Sequence, residues 1–128
     1  MPGLRSARLG AAGVFLTYGA SALLIDGFFT RPALARVAFS RLAPDPRRVT
    51  DGLERAGIDR LSAVLVSHTH YDHAMDAPLI AGLTGAVLAG SSSLSSLARA
   101  AGFPPTRFHA ASPGGWIDFG PLRVEWIA

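Results

Sequence analysis

Hydrophobic positions along this chain come in short runs separated by glycine, proline and serine, and their period changes from run to run. From Leu9 to Ile25 the apolar stretch is punctuated by Gly10, Gly13, Tyr18-Gly19 and Ser21, and it closes on Asp26. That pattern predicts two strands, about 12–17 and 21–26, joined near Tyr18-Gly19-Ala20. Arg5 and Arg8 ahead of the stretch give it the outline of an export signal. The interrupting glycines, and an acidic residue where a small-residue cleavage site would stand, argue against one. The run is also too broken for a membrane span. From Gly27 to Pro44 the chain reads as a connection over the sheet edge, with Phe28, Phe29, Leu34, Val37 and Phe39 as apolar anchors.

A helical period follows. Asp45-Pro46 is a helix-start pair, with Asp45 as N-cap and Pro46 in the first turn. Val49, Leu53 and Ala56 then share one face, and Gly57 stands where a left-handed C-cap is expected, so a helix is predicted over 46–56. Leu61 to Ser67 is a continuous apolar run that predicts a buried strand. Ala77 to Ala81, with Pro78 in its first turn, predicts a short helix, and Ala86 to Ala89 the next strand. Ser92 or Ser93 is expected to cap a helix carrying Leu94, Leu97, Ala98 and Ala101 on one face, stopped by Gly102 and Pro104-Pro105. In the last stretch Trp116, Leu122, Val124 and Trp126 are expected on one face of a hairpin, with Arg123 and Glu125 on the other. Pro113-Gly114-Gly115 and Gly120-Pro121 supply the turns. Strands alternating with helices in this order predict an α/β layered fold.

At 128 residues the chain is one domain or part of one. Its 49% hydrophobic content can fill a core, and 16% charge is too little for a disordered chain. There is no cysteine, which excludes disulfides and thiolate metal sites, so any metal must rest on His, Asp or Glu. All 12 basic residues are arginine and the net charge is +3, yet the arginines are dispersed from Arg5 to Arg123. Nucleic-acid binders concentrate such charge on a stripe with aromatics interleaved. The arginines therefore read as a solvated surface, and neither nucleic acid nor membrane is favoured as a partner. The cytoplasm is the favoured location, with export or membrane anchoring left open.

The chemistry is concentrated in Ser67-His68-Thr69-His70-Tyr71-Asp72-His73, which holds three of the four histidines. On an extended backbone, side chains two residues apart point the same way. His68, His70 and, if the extension persists, Asp72 can then converge, while His73 needs a tight turn or a helix start. Zinc accepts imidazole nitrogen and carboxylate oxygen, and its catalytic sites keep a position open for water. A loop that is merely polar gives no packing reason to cluster three imidazoles beside an aspartate. By the same parity Thr69 and Tyr71 point away from the convergent face. Asp76, three residues after His73, is expected at the surface, and His109 at the surface or a strand end beside Ser112.

His68-Thr69-His70-Tyr71-Asp72-His73 resembles the H-x-H-x-D-H signature of the metallo-β-lactamase-fold hydrolases. The resemblance extends upstream to Leu9–Leu16 and Ala22–Asp26, similar to the opening hairpin of that superfamily, and downstream through Ala77-Pro78 and Thr84-Gly85-Ala86 to Gly90-Ser91. It implies a four-layer αββα sandwich, of which residues 1–128 correspond to the N-terminal half: β-hairpin, helix, strand, metal loop, βα unit and terminal hairpin. The resemblance further implies zinc, as one or two ions, with iron or manganese as alternatives. His68 and His70 would hold the first ion, and Asp72 and His73 the second. With a single ion Asp72 would be catalytic by orienting the water. Asp26 would brace the loop by hydrogen bonding. A small-molecule substrate with an ester, amide or phosphodiester-type bond is implied.

The superfamily's remaining ligands, which include another histidine and a bridging aspartate, have no counterpart in residues 1–128. The chain alone is therefore expected to bind metal weakly and to turn over little. A sheet face left without its partner is expected to expose a large apolar patch, the mean hydropathy being +0.31, and to favour self-association. A reading of a different class stays open: a non-catalytic metal-binding or interaction module that retained the motif.

Overall fold

The computed structural model describes residues 4–9, 13–27, 29, 44–67 and 74–127. The expected connection from Gly27 to Pro44 and the histidine motif at 68–73 thus lie largely or wholly outside the described residues. Eight strands and three α-helices are present among the described residues. The chain opens with β1 (Arg5–Leu9), β2 (Gly13–Tyr18) and β3 (Ser21–Ile25), then α1 (Pro46–Arg55) and β4 (Ala63–Leu65). It continues with α2 (Ala77–Thr84), β5 (Val87–Gly90), α3 (Ser92–Ala100), a 3-10 turn at Pro105–Arg107 and β6 (Phe108–Ala110). A terminal hairpin, β7 (Trp116–Phe119) and β8 (Leu122–Glu125), ends it.

Strands β1 to β6 form one sheet in sequence order, and β7 pairs with β8 in a second, two-stranded sheet. The first three strands are antiparallel, whereas β3, β4, β5 and β6 run parallel. The turn of the β2–β3 hairpin is where the sequence puts it, with Gly19 at φ 59° and Tyr18 opposite Ser21. Strand β1 is an addition: its Arg-Ser-Ala-Arg-Leu sequence has little apolar content, and pairing along β2 places it in the sheet.

The parallel strands are covered on both faces, which is why their sequences are continuously apolar. Leu24, Val64 and Leu88 point into the main core with Val49 and Leu53 of α1, Ile80 and Ala81 of α2, and Leu94 and Ala98 of α3. On the opposite face Leu23, Ala63, Leu65 and Ala89 form a second core with Phe119, Leu122, Val124 and Trp126 of the hairpin. The bare sheet face expected from the sequence is therefore not present among the described residues. These four residues are at most 6% exposed because the hairpin folds back over them. Ser21 Oγ donates to the Phe119 carbonyl at 2.9 Å and ties the hairpin to the β2–β3 turn.

Helix α1 begins as its sequence requires, with the Asp45 carboxylate accepting from the Arg47 and Arg48 amides and Gly57 left-handed at φ 70° beyond its end. Helix α3 departs from expectation. Its N-cap is Ser91, not Ser92 or Ser93, because β5 ends at Gly90 and the chain turns at once. Leu94 and Ala98 are buried, but Leu97 is 39% exposed and Ala101 is exposed, so the buried line follows i and i+4 alone. Arg107 closes the far end of the helical layer. Its guanidinium donates to the Ala81 and Ala86 carbonyls at 3.0 and 2.7 Å and lies over the Phe103 ring. No helix among the described residues is long and apolar enough to cross a membrane.

The hairpin corrects a second expectation. Trp116 lies opposite Glu125 on the outer face, 57% exposed, with the Arg123 guanidinium 5.2 Å from its ring. Ile117 and Phe119 alternate with it toward the inner face, paired with Val124 and Leu122. The single alternation of β7 places Trp116 out, since strand parity admits no other arrangement once Phe119 is in. Trp126 stacks on His109, with ring centroids 5.8 Å apart and planes 25° apart. His109 is thus half-buried in the three-residue strand β6 against an aromatic ring.

Replacing Trp126 by alanine should cost about 2 kcal/mol in urea denaturation, whereas Trp116→Ala should change stability much less. The reverse order would overturn the assignment of faces. Arg123 also donates to Asp118 at 2.7 Å, and this hydrogen bond holds the Asp118 carboxyl below its ordinary range. A lowered folded-state value means that the pair stabilises above the unfolded aspartate pKa and is lost as pH falls through the folded one. Both partners are exposed, so the effect on stability is small. A carboxyl titration by NMR should find Asp118 lowered, and Arg123→Gln should return it to the ordinary range.

Candidate functional site

The carboxyl ends of β3 and β4 lie side by side because the two strands are parallel and in register, Leu23 with Ala63 through Ile25 with Leu65. A polar residue stands close beyond each strand, Asp26 directly after β3 and Ser67 after Val66 beyond β4. Ligands of open α/β sheets gather at such carboxyl ends. Ser67, at that end of the sheet, is the residue before the histidine motif in the sequence.

Asp26 is 6% exposed and has φ 54°, the positive-φ non-glycine residue among those described. Aspartate tolerates the left-handed region better than most side chains, at a cost of about 1 kcal/mol. The step turns the chain out of the sheet while the Asp26 amide still donates to the Leu65 carbonyl at 2.9 Å. Its carboxylate then holds Ser67 twice. The Ser67 amide donates to Oδ1 at 2.8 Å, and the Ser67 hydroxyl donates to Oδ2 at 2.5 Å. Gly27 follows because a Cβ there would overlap the Leu24 side chain.

The other side of β4 is fixed by β5. The Val66 amide donates to the Ala89 carbonyl at 3.0 Å, and Gly90 lets the ends of β4 and β5 and the first turn of α3 come together. A Cβ on Gly90 would strike Leu94 and approach the Val66 carbonyl at 3.2 Å. Ser67 is therefore delivered to a defined point by both neighbouring strands.

His68, His70, Asp72 and His73 lie outside the described residues, as do Thr69 and Tyr71. Among the described residues no group of three His, Cys, Asp or Glu side chains could hold a metal ion. Beyond the motif Ala74, Met75, Asp76 and Ala77 are buried. Asp76 overturns its surface assignment: it is 0% exposed, and its Oδ2 accepts the Phe29 amide at 2.7 Å. Sequence spacing missed it because its partner is 47 residues away, although an aspartate ahead of Ala77-Pro78 at a helix start was a signal of a constrained position. His109, the histidine outside the motif, packs on Trp126.

Asp26→Ala would leave the Ser67 amide and hydroxyl without this acceptor and should destabilise the fold by about 3 kcal/mol in denaturant titration. Asp26→Asn should cost clearly less, since asparagine keeps an acceptor and also tolerates positive φ. Equal losses in both variants would deny the hydrogen bonds this role.

With this geometry in hand, likeness to known proteins can be placed on it. The sequence profile of the metallo-beta-lactamase superfamily matches residues 9–126. A UPF0173 metal-dependent hydrolase of Anaeromyxobacter sp. (strain K) is 32% identical over 121 residues, covering 92% of this chain and 39% of that protein. Another protein of that name, from Thermoplasma volcanium, is 31% identical over 111 residues, covering 87% of this chain and 41% of its own length. The chain thus spans about two fifths of the length of these curated relatives. The crystal structure of the metallo-beta-lactamase SMB-1 in complex with mercaptoacetic acid superimposes with a TM-score of 0.64. At 20% identity, over 94% of this chain and 48% of that one, the likeness concerns the fold. A matched profile across nearly the whole chain, together with a shared arrangement of sheet and helices, establishes that this chain belongs to the metallo-beta-lactamase superfamily.

Proposed function

We propose that residues 1–128 form the N-terminal, metal-binding half of the domain of a metal-dependent hydrolase. His68 and His70 are the donors to a first divalent ion, and Asp72 and His73 to a second. With one ion only, Asp72 instead orients the attacking water. The observation that carries this proposal is the buried Asp26 carboxylate locking Ser67, the residue immediately before the motif, at the carboxyl end of a strand covered on both faces. An ordered, costly feature of this kind has little purpose beside a loop that is merely polar.

The donor set fits a divalent cation: three imidazoles and a carboxylate with no thiolate, a combination suited to zinc and also to iron or manganese. A bound ion supplies Lewis acidity and a nucleophilic water at neutral pH. The chain's own part is to hold the imidazoles and the carboxylate at one point, with Asp26 bracing the start of the loop. The substrate class is a small molecule with a hydrolysable ester, amide or phosphodiester-type bond. The name borne by the curated relatives supports metal dependence and hydrolysis, and the fold by itself selects no substrate.

Within residues 1–128 the motif supplies two donors per ion, where catalytic zinc uses three protein ligands. Zinc titration of this chain should accordingly show weak binding and little hydrolysis of an ester, lactam and phosphodiester panel. His68→Ala and Asp72→Ala should each weaken the binding further, by about tenfold or more, with the melting temperature of the metal-free protein little changed. Unchanged affinity in both variants would remove these residues from the metal site.

A further inference from the structure

We propose that Asp76 is a positioning residue for the metal motif and that it acts through Phe29; the inference rests on the function proposed above. Asp76 stands at the N-terminus of α2, where an aspartate ordinarily caps its own helix. It makes no such side-chain cap bond. Its carboxylate is fully buried, which is costly unless hydrogen bonds compensate. Its Oδ2 accepts from the Phe29 amide at 2.7 Å, in the segment that follows β3.

Phe29 is held from a second direction. Its ring lies so close to Gly52 of α1 that a Cβ at Gly52 would overlap it. Phe29 follows Asp26 by three residues, and Asp26 is the residue that locks Ser67. Asp26 and Phe29, three residues apart in sequence, therefore form a bridge between the two flanks of the motif. One end grips the residue before His68, and the other end is gripped by Asp76, three residues after His73. Tying both flanks to one bridge restricts the conformations open to the donors between them, and preorganised donors bind more tightly than free ones. Groups that order metal ligands in this way commonly contribute 10–100-fold to affinity.

The test is a titration with Co2+ carried into the millimolar range and followed by its visible absorption. It compares the wild-type chain, Asp76→Ala, Asp76→Asn, Gly52→Ala, His68→Ala and Phe103→Ala. Phe103 lies beside Arg107 at the opposite end of the parallel strands, so its variant lowers stability without touching the bridge. Asp76→Ala should weaken Co2+ binding by about tenfold or more. Asp76→Asn should stay near wild type because its amide oxygen still accepts from Phe29. Gly52→Ala should follow Asp76→Ala, since it displaces Phe29 from the other side, and it carries the comparison alone if Asp76→Ala does not fold. Phe103→Ala should melt earlier yet bind as wild type does.

Wild-type affinity in folded Asp76→Ala and Gly52→Ala, with affinity lost in His68→Ala, would overturn the positioning role and leave the metal site standing. So would affinity losses no greater than that of Phe103→Ala. Identical Co2+ behaviour of wild type and His68→Ala would overturn the metal site itself and this inference with it.

Discussion

Both oxygens of one buried carboxylate accept hydrogen bonds from a single serine, and that pairing fixes the point at which the chain leaves the parallel strands ahead of the candidate motif. Asp26 can reach Ser67 only because β3 and β4 are parallel and in register, so that their carboxyl ends arrive together. That register in turn depends on apolar side chains packed on both faces of the strands. Leu24 and Val64 are fully buried under the helices, and Leu23 and Leu65 nearly so under the hairpin. A slip of one residue would exchange these two sets of side chains between cores of different depth. The polar lock and the apolar packing are thus two aspects of one constraint.

The second core gives the terminal hairpin a function in the fold. Without it the face of Leu23, Ala63, Leu65 and Ala89 would meet water, and short parallel strands are seldom stable with one face wet. Small residues, Ala63 and Ala89, stand where the large side chains of the hairpin pack. His109 extends this contact by stacking on Trp126. The histidine outside the motif thus packs sheet against hairpin.

The helical layer acts on the site at shorter range. Gly52 admits the Phe29 ring, and Asp76 takes the Phe29 amide, so α1 and the start of α2 meet at the segment that follows β3. At the far end Arg107 donates to the Ala81 and Ala86 carbonyls and so ties the 3-10 turn to the C-terminal end of α2 and the start of β5.

Much of this was legible from local pattern. The Asp45-Pro46 start and Gly57 stop of α1, the β2–β3 hairpin and the apolar strands each depend on residues a few positions apart, and short-range preferences act at that distance. The motif of His68, His70, Asp72 and His73 is likewise a local feature, and residue chemistry with spacing suffices to mark it as a candidate metal-ligand set. What local pattern could not decide were contacts between distant segments. Strand β1 exists because β2 offers it an edge, Trp116 faces out because Phe119 has a core to enter, and Asp76 is buried because Phe29 supplies its donor. The sequence by itself determined which residues are able to bind, cap or turn. Only the tertiary structure decided which of them meet, because burial and long-range hydrogen bonding depend on partners that no window along the chain contains.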